Sequence, residues 1–117
     1  MKTITCICFL LFVFIGCSKT EFVPSDCGVS NSRYQADIKP IIAANCAYAG
    51  CHSSIRGSGN DFDFTTYDGL KEAAGSISNR INRPLSDPLH MPVGFDFANP
   101  CDIYKLNAWL VAGAPNN

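Results

Sequence analysis

Between Asn45 and Ser54 the chain reads NCAYAGCHSS, two cysteines separated by four residues with a histidine directly after the second. No other stretch limits the fold as strongly. Once the apolar N-terminus is set aside about 100 residues remain, a length whose core is marginal unless something else helps to close it. Cys46, Cys51 and His52 offer three closures: a haem held by two thioethers with the imidazole on its iron, a zinc ion completed from elsewhere, or a disulfide with a histidine beside it. The familiar haem-attachment spacing is Cys-x-x-Cys-His, so the wider spacer here leaves the decision to the rest of the chain.

The first residues, MKTITCICFLLFVFIG, place a lysine and an apolar run ahead of Cys17, the pattern of an export signal. The run from Ile4 to Gly16 is roughly thirteen residues, short of the about 20 that a spanning helix needs. Phe14-Ile15-Gly16-Cys17 resembles the lipobox of bacterial lipoproteins, with phenylalanine where leucine is usual. That resemblance implies that Cys17 is acylated and anchors the chain to a membrane surface without a spanning helix. Residues 1–16 are then a lipoprotein signal peptide and 17–33 a tether. The expected location is exported and membrane-anchored, facing the periplasm or the cell surface. A formal net charge of −1 leaves no basic surplus, so nucleic acid is not an expected partner.

The seven cysteines sort by context. Cys6 and Cys8 leave with the signal and Cys17 takes lipid. Export brings the other four, Cys27, Cys46, Cys51 and Cys101, into an oxidising compartment. Four thiols allow three pairings. Cys46 and Cys51 stand beside His52, whereas Cys27 and Cys101 lie near the two ends of the domain. A Cys27–Cys101 bridge would close a loop of about 75 residues and contribute about 4 kcal/mol through chain entropy.

The domain is expected over 34–117, and its punctuation is helical. In ADIKPIIAANC, Asp37 is placed to cap, Pro40 falls in the first turn, and Ile38, Ile41 and Ile42 share a face that ends at Cys46. The stretch SSIRGSGNDFD reads as a loop. Leu70, Ala73, Ala74, Ile77 and Ile81 follow at helical spacing, with Thr66 as cap and Gly75-Ser76 as a break, giving one interrupted helix or two short ones. Four prolines make RPLSDPLHMPVGFDFANP an extended loop, and a long apolar loop in a small domain usually lines something. The last helix starts with an Asn99 cap and Pro100, stops at Gly113 and Pro115, and buries Ile103, Leu106, Trp109 and Leu110. No segment alternates over strand length, so the expected class is all-α, with short helices and long loops.

A covalently bound haem needs two thiols for its two vinyl groups and an imidazole next to the second thiol, which His52 supplies. The spacer is the looser demand, since Gly50 lets the four intervening residues turn outward. The far face of the iron calls for a ligand distant in sequence. Met91 lies in the proline-flanked LHMPVG, where Leu85, Leu89, Val93 and Phe95 are candidates to wall a haem edge. His90, next to it, is the alternative ligand. A thioether there raises the reduction potential relative to a second imidazole.

The segments YQADIKPIIAANCAYAGCHSS, TYDGLKEA, MPVG and LNAWLVAGAPNN together resemble the small c-type cytochrome domains of bacterial secreted proteins and lipoproteins, of the Planctomycete and Bacteroidetes type with the four-residue spacer. The likeness runs from Tyr34 to Asn117. It implies a cytochrome c-like fold around one haem c, with thioethers on Cys46 and Cys51, His52 as proximal ligand and Met91 as distal ligand. Cys101, at the start of the last helix, departs from that pattern and supports a structural bridge to Cys27.

Other readings compete. Zinc could be completed by His90, yet the adjacent Cys51 and His52 are awkward tetrahedral partners and no paired structural spacing is present. A Cys46–Cys51 disulfide is sterically feasible. A six-coordinate haem leaves no position for substrate, and no catalytic spacing stands out, so an enzyme is not expected. The expected function is single-electron transfer by a membrane-anchored monohaem cytochrome with redox-protein partners. The alternatives are a haem-bearing accessory or sensor module of a larger surface complex, or a disulfide-stapled binding domain without haem. Ile41, Ile42, Leu70, Ile77, Ile81, Leu85, Leu89, Leu106 and Trp109 are the expected core and pocket, and Arg80 or Arg83 the candidate partners of haem propionates.

Overall fold

In the computed structural model of the chain, residues 24–53 and 62–117 are described. The signal peptide, the lipid site Cys17 and most of the expected 53–63 loop lie outside them. Helices α1 (Lys39–Asn45), α2 (Tyr67–Glu72), α3 (Ala74–Ile81) and α4 (Pro100–Val111) carry the fold, and the described residues contain no strand. The all-α class therefore holds.

Pro40 shapes the first helical segment. It has no N–H to donate and its ring crowds the carbonyl four residues back, so the turn before it widens. Tyr34–Ile38 is a π-helical turn in which Ile38 N–H reaches Arg33 O at 3.1 Å and Lys39 N–H reaches Tyr34 O. The helix thus begins earlier than expected. Asp37 does not cap it from in front; its carboxylate accepts the Arg33 backbone N–H at 2.9 Å from within the first turn.

The central pair also differs in detail. Thr66 caps α2 through Oγ1, which accepts Gly69 N–H at 3.2 Å, as its position suggests. The break, however, falls at Ala73 (φ −84°, ψ 0°), two residues before Gly75, which stays helical. Gly69 is required for a different reason. A Cβ placed there would overlap the carbonyl oxygen of Asp63, whose backbone runs directly against α2. Gly69→Ala must push that backbone aside. The expected cost is about 1–3 kcal/mol, read as a lowered urea midpoint at unchanged m; an unchanged midpoint would show that the close approach is not required.

Helix α4 matches its punctuation: Asn99 Oδ1 accepts Cys101 N–H at 3.0 Å, and Gly113 takes the left-handed φ of +88°. The tail after it folds back into the core. Trp109 Nε1 donates to Pro115 O, Tyr67 Oη to Ala114 O, and Tyr34 N–H to Asn117 Oδ1, each at 2.8–2.9 Å. Tyr34 stacks on Trp109 and meets Tyr67 edge-on, so the two ends of the domain share one aromatic cluster.

Cys27 and Cys101 form a disulfide. It fastens the residues before Tyr34, which make 3₁₀ turns at Ser25–Cys27 and Val29–Asn31, against the start of α4. The described part of the expected tether is therefore structured, with Cys27 buried.

Ile41, Ile42, Leu70, Ile77, Ile81, Leu106 and Trp109 are buried as expected, joined by Tyr34, Ile38, Phe64, Ala73, Phe97 and Ala114. Leu85 and Leu89, expected in the core or lining a haem pocket, do not join the core: they are 49% and 46% exposed. They sit in turns of the proline-rich loop, which has no periodic face to turn inward.

Candidate functional site

The end of α1 delivers Cys46 by hydrogen bonding. Cys46 N–H and Ala47 N–H both donate to Ile42 O at 2.8 Å, which ends the helix. The chain then loops outward and returns. Cys51 N–H donates to Tyr48 O and His52 N–H donates to Cys46 O, both at 3.0 Å, so one closed turn carries both thiols and the imidazole. Tyr48, Ala49 and Gly50 are exposed at its tip, and Gly50 takes φ +84°, a conformation that costs glycine little. The extra residues of the spacer are accommodated in this bulge.

His52 is held from its other side. Its ring stacks on Phe64 with centroids 4.1 Å apart, its carbonyl accepts Phe64 N–H at 2.9 Å, and its Nδ1 lies 3.4 Å from Phe62 O. A carbonyl only accepts, so this contact puts the proton on Nδ1 and leaves Nε2 with its lone pair. Phe64 belongs to the buried core, which gives the imidazole a fixed backing. Sequence reasoning missed Phe64 because it falls in a loop without a period.

Cys46 and Cys51 are thiols, not a disulfide. Burial, with a smaller contribution from neighbouring Cys51, pushes the Cys46 thiol from an ordinary 9.0 up to about 12. Tyr48 forms a side-chain hydrogen bond with Cys51. In the haem-free folded chain Cys46 therefore stays protonated at neutral pH. Its alkylation by iodoacetamide at pH 8 is expected to be at least about a hundredfold slower than in the urea-unfolded chain, measured by peptide mass spectrometry; equal rates would contradict the burial. The raised value also sets a pH dependence. The folded state keeps a proton that the unfolded state releases, so this contribution to stability is complete below about pH 9 and is lost as pH climbs towards 12.

The distal candidates sit on the long loop, anchored to α3. Met91 N–H donates to Arg80 O at 3.3 Å, and the Met91–Pro92 peptide bond is cis. Met91 is half-buried. His90 is 4% exposed; its Nδ1 donates to Arg83 O at 2.7 Å, while its buried Nε2 has no hydrogen-bond partner among the described residues and lies 3.8 Å from Asp96 Oδ1. Ser53 Oγ, beside His52, is also buried and has no hydrogen-bond partner among the described residues.

Leu85, Leu89, Val93 and Phe95 are all exposed, giving this loop an apolar outer surface. Arg83 is committed to Asn79 and Asp87, the latter at 2.8 Å. Arg80 makes only a 3.4 Å contact from Nη1 to Leu89 O among the described residues, which leaves it the better placed of the two for an anion. Half-buried Asp87 is held below the usual carboxylate range by the Leu89 N–H first and by Arg83 second.

Among the described residues no group of three or more His, Cys, Asp or Glu side chains stands arranged to hold a metal ion, so Cys46, Cys51, His52 and His90 do not assemble a zinc set. Two thiols and an imidazole in one turn are the donor types that covalent attachment of a haem would use, two for thioethers and one nitrogen for its iron. Asn45, next to Cys46, connects this turn to the end of the Met91 loop, its Oδ1 accepting Ala98 N–H at 3.5 Å. No protein-family model, curated protein or solved structure matches this chain.

Proposed function

We propose that this chain is a monohaem c-type cytochrome that carries single electrons at a membrane surface, tethered through lipid on Cys17 and exchanging electrons with protein partners. The observation that carries the reading is the closed turn in which His52 N–H meets Cys46 O, since it gathers two thiols and a backed imidazole within seven residues. Cys46 and Cys51 would hold the haem c, His52 Nε2 would bind its iron, and Met91 would supply the opposite ligand. When bound, the haem supplies a one-electron couple whose potential depends on its axial ligands and burial.

The chain's own residues do the rest. Phe64 and the Phe62 carbonyl orient the His52 ring, a hydrogen bond of the kind that raises ligand basicity. The exposed apolar loop side chains offer the surface that an apolar macrocycle or a partner protein covers. Arg80 is available to a propionate. The all-α architecture with one proline-rich loop is compatible with a cytochrome c-like fold.

His90 supports a second reading of the ligand set. Its Nδ1 is fixed on Arg83 O and its buried Nε2 has no hydrogen-bond partner among the described residues, an arrangement suited to a histidine ligand. The full chain produced with a haem c maturation system should give the reduced-minus-oxidised spectrum of a low-spin haem, and absence of any haem spectrum would refute the reading. Met91→Ala should make the haem high-spin and open to carbon monoxide, with His90→Ala unchanged; the reverse pattern would assign the ligand to His90.

A further inference from the structure

Asn45 is one of two buried polar residues among those described, 4% exposed, and it immediately precedes Cys46. A buried carboxamide carries two donors and an acceptor that must be satisfied inside the protein. Here they are satisfied by three separate segments. Nδ2 donates to Ile41 O at 2.9 Å within α1 and to Asp102 Oδ2 at 3.4 Å in the first turn of α4; Oδ1 accepts Ala98 N–H at 3.5 Å at the end of the Met91 loop.

The last two contacts are long, and in water each would count for little. Their setting changes that. The carboxamide itself is buried, although Ala98 is exposed and Asp102 half-buried, and both partners lie beside fixed points: buried Phe97 next to Ala98, and the disulfide-bonded Cys101 next to Asp102. The helix end that presents Cys46 and the loop that presents Met91 are thus joined to one side chain.

We propose that Asn45 is a positioning residue that couples the 46–52 turn to the 84–99 loop, so that the two segments loosen together when its carboxamide is removed. The coupling is a property of the chain itself. Its consequence for iron ligation rests on the haem reading above: with the register between the two segments lost, Met91 would no longer reach its position while the thioethers stay intact.

Hydrogen–deuterium exchange on the full, disulfide-intact, haem-free chain separates this from a merely structural role. In Asn45→Ala, peptides covering both 46–53 and 84–99 should exchange at least about tenfold faster, with α3 unchanged. Leu110→Ala, a destabilising control away from the amide, should instead speed all segments by similar factors. Asp102→Ala, which deletes a partner without opening a buried hole, should give a smaller acceleration in the same two segments. Acceleration confined to α1, or spread evenly as in the control, would overturn the proposal. In the haem-loaded protein Asn45→Ala should keep its covalent haem yet bind carbon monoxide; unaltered Met91 ligation would also overturn it. If the wild-type chain takes up no covalent haem, the functional reading fails, and the exchange comparison still decides for or against Asn45.

Discussion

Removal of the Cys27–Cys101 bridge, by serine substitution of both cysteines, is expected to lower folding stability by about 4 kcal/mol. The bridge joins residues 74 apart, so without it the unfolded chain regains nearly the whole conformational freedom of the domain. Against a typical total of about 5–15 kcal/mol for a single domain, that loss is severe. Its local effect should be uneven. The 3₁₀ turns at Ser25–Cys27 and Val29–Asn31 depend on the bridge, whereas Trp109 and the C-terminal tail keep their own hydrogen bonds. Urea unfolding followed by tryptophan fluorescence, with and without the double substitution, measures the difference. A loss below about 1 kcal/mol would mean that the unfolded chain is already held compact by other means.

Trp109→Ala is the second large effect, expected at about 3–5 kcal/mol. The indole is 1% exposed, stacks on Tyr34 and donates to Pro115 O at 2.9 Å. Truncation opens a cavity under the tail and leaves that carbonyl unpaired. Trp109→Phe refills most of the volume but not the hydrogen bond, so it should cost only about 1–3 kcal/mol. Circular dichroism melts of the two variants should fall in that order. Equal destabilisation would place the whole effect in the hydrogen bond.

Much of the helical frame was legible because its signals are local. Asn99-Pro100 and Gly113 mark both ends of α4, Thr66 starts α2, and the isoleucines of α1 and α3 recur at helical spacing. The cysteine partition was legible too, since Cys46 and Cys51 flank one short turn while Cys27 and Cys101 stand at opposite ends of the domain. What escaped depends on contacts between distant segments. The π-helical turn answers a steric demand of Pro40 on the residues before it, and Gly69 is required by a loop backbone that no helical pattern announces.

Nothing in the local pattern singles out Asn45, whose partners beyond its own helix, Ala98 and Asp102, lie more than fifty residues away. Leu85 and Leu89 stay out of the core because the loop that carries them has no periodic face to turn inward. The four-residue spacer is the instructive case. It counted against haem attachment by spacing alone, yet the hydrogen bond from His52 to Cys46 closes the turn across it and leaves only the bulge in solvent.

The central claim is covalent attachment of one haem at Cys46 and Cys51. It is tested most directly by organic-acid extraction of the full chain produced with a haem c maturation system, followed by intact mass measurement. The expected result is that colour stays with the protein, that the mass rises by one haem, and that Cys46→Ser combined with Cys51→Ser abolishes both. Haem that leaves into the organic phase, or a chain whose mass is unchanged, would contradict it.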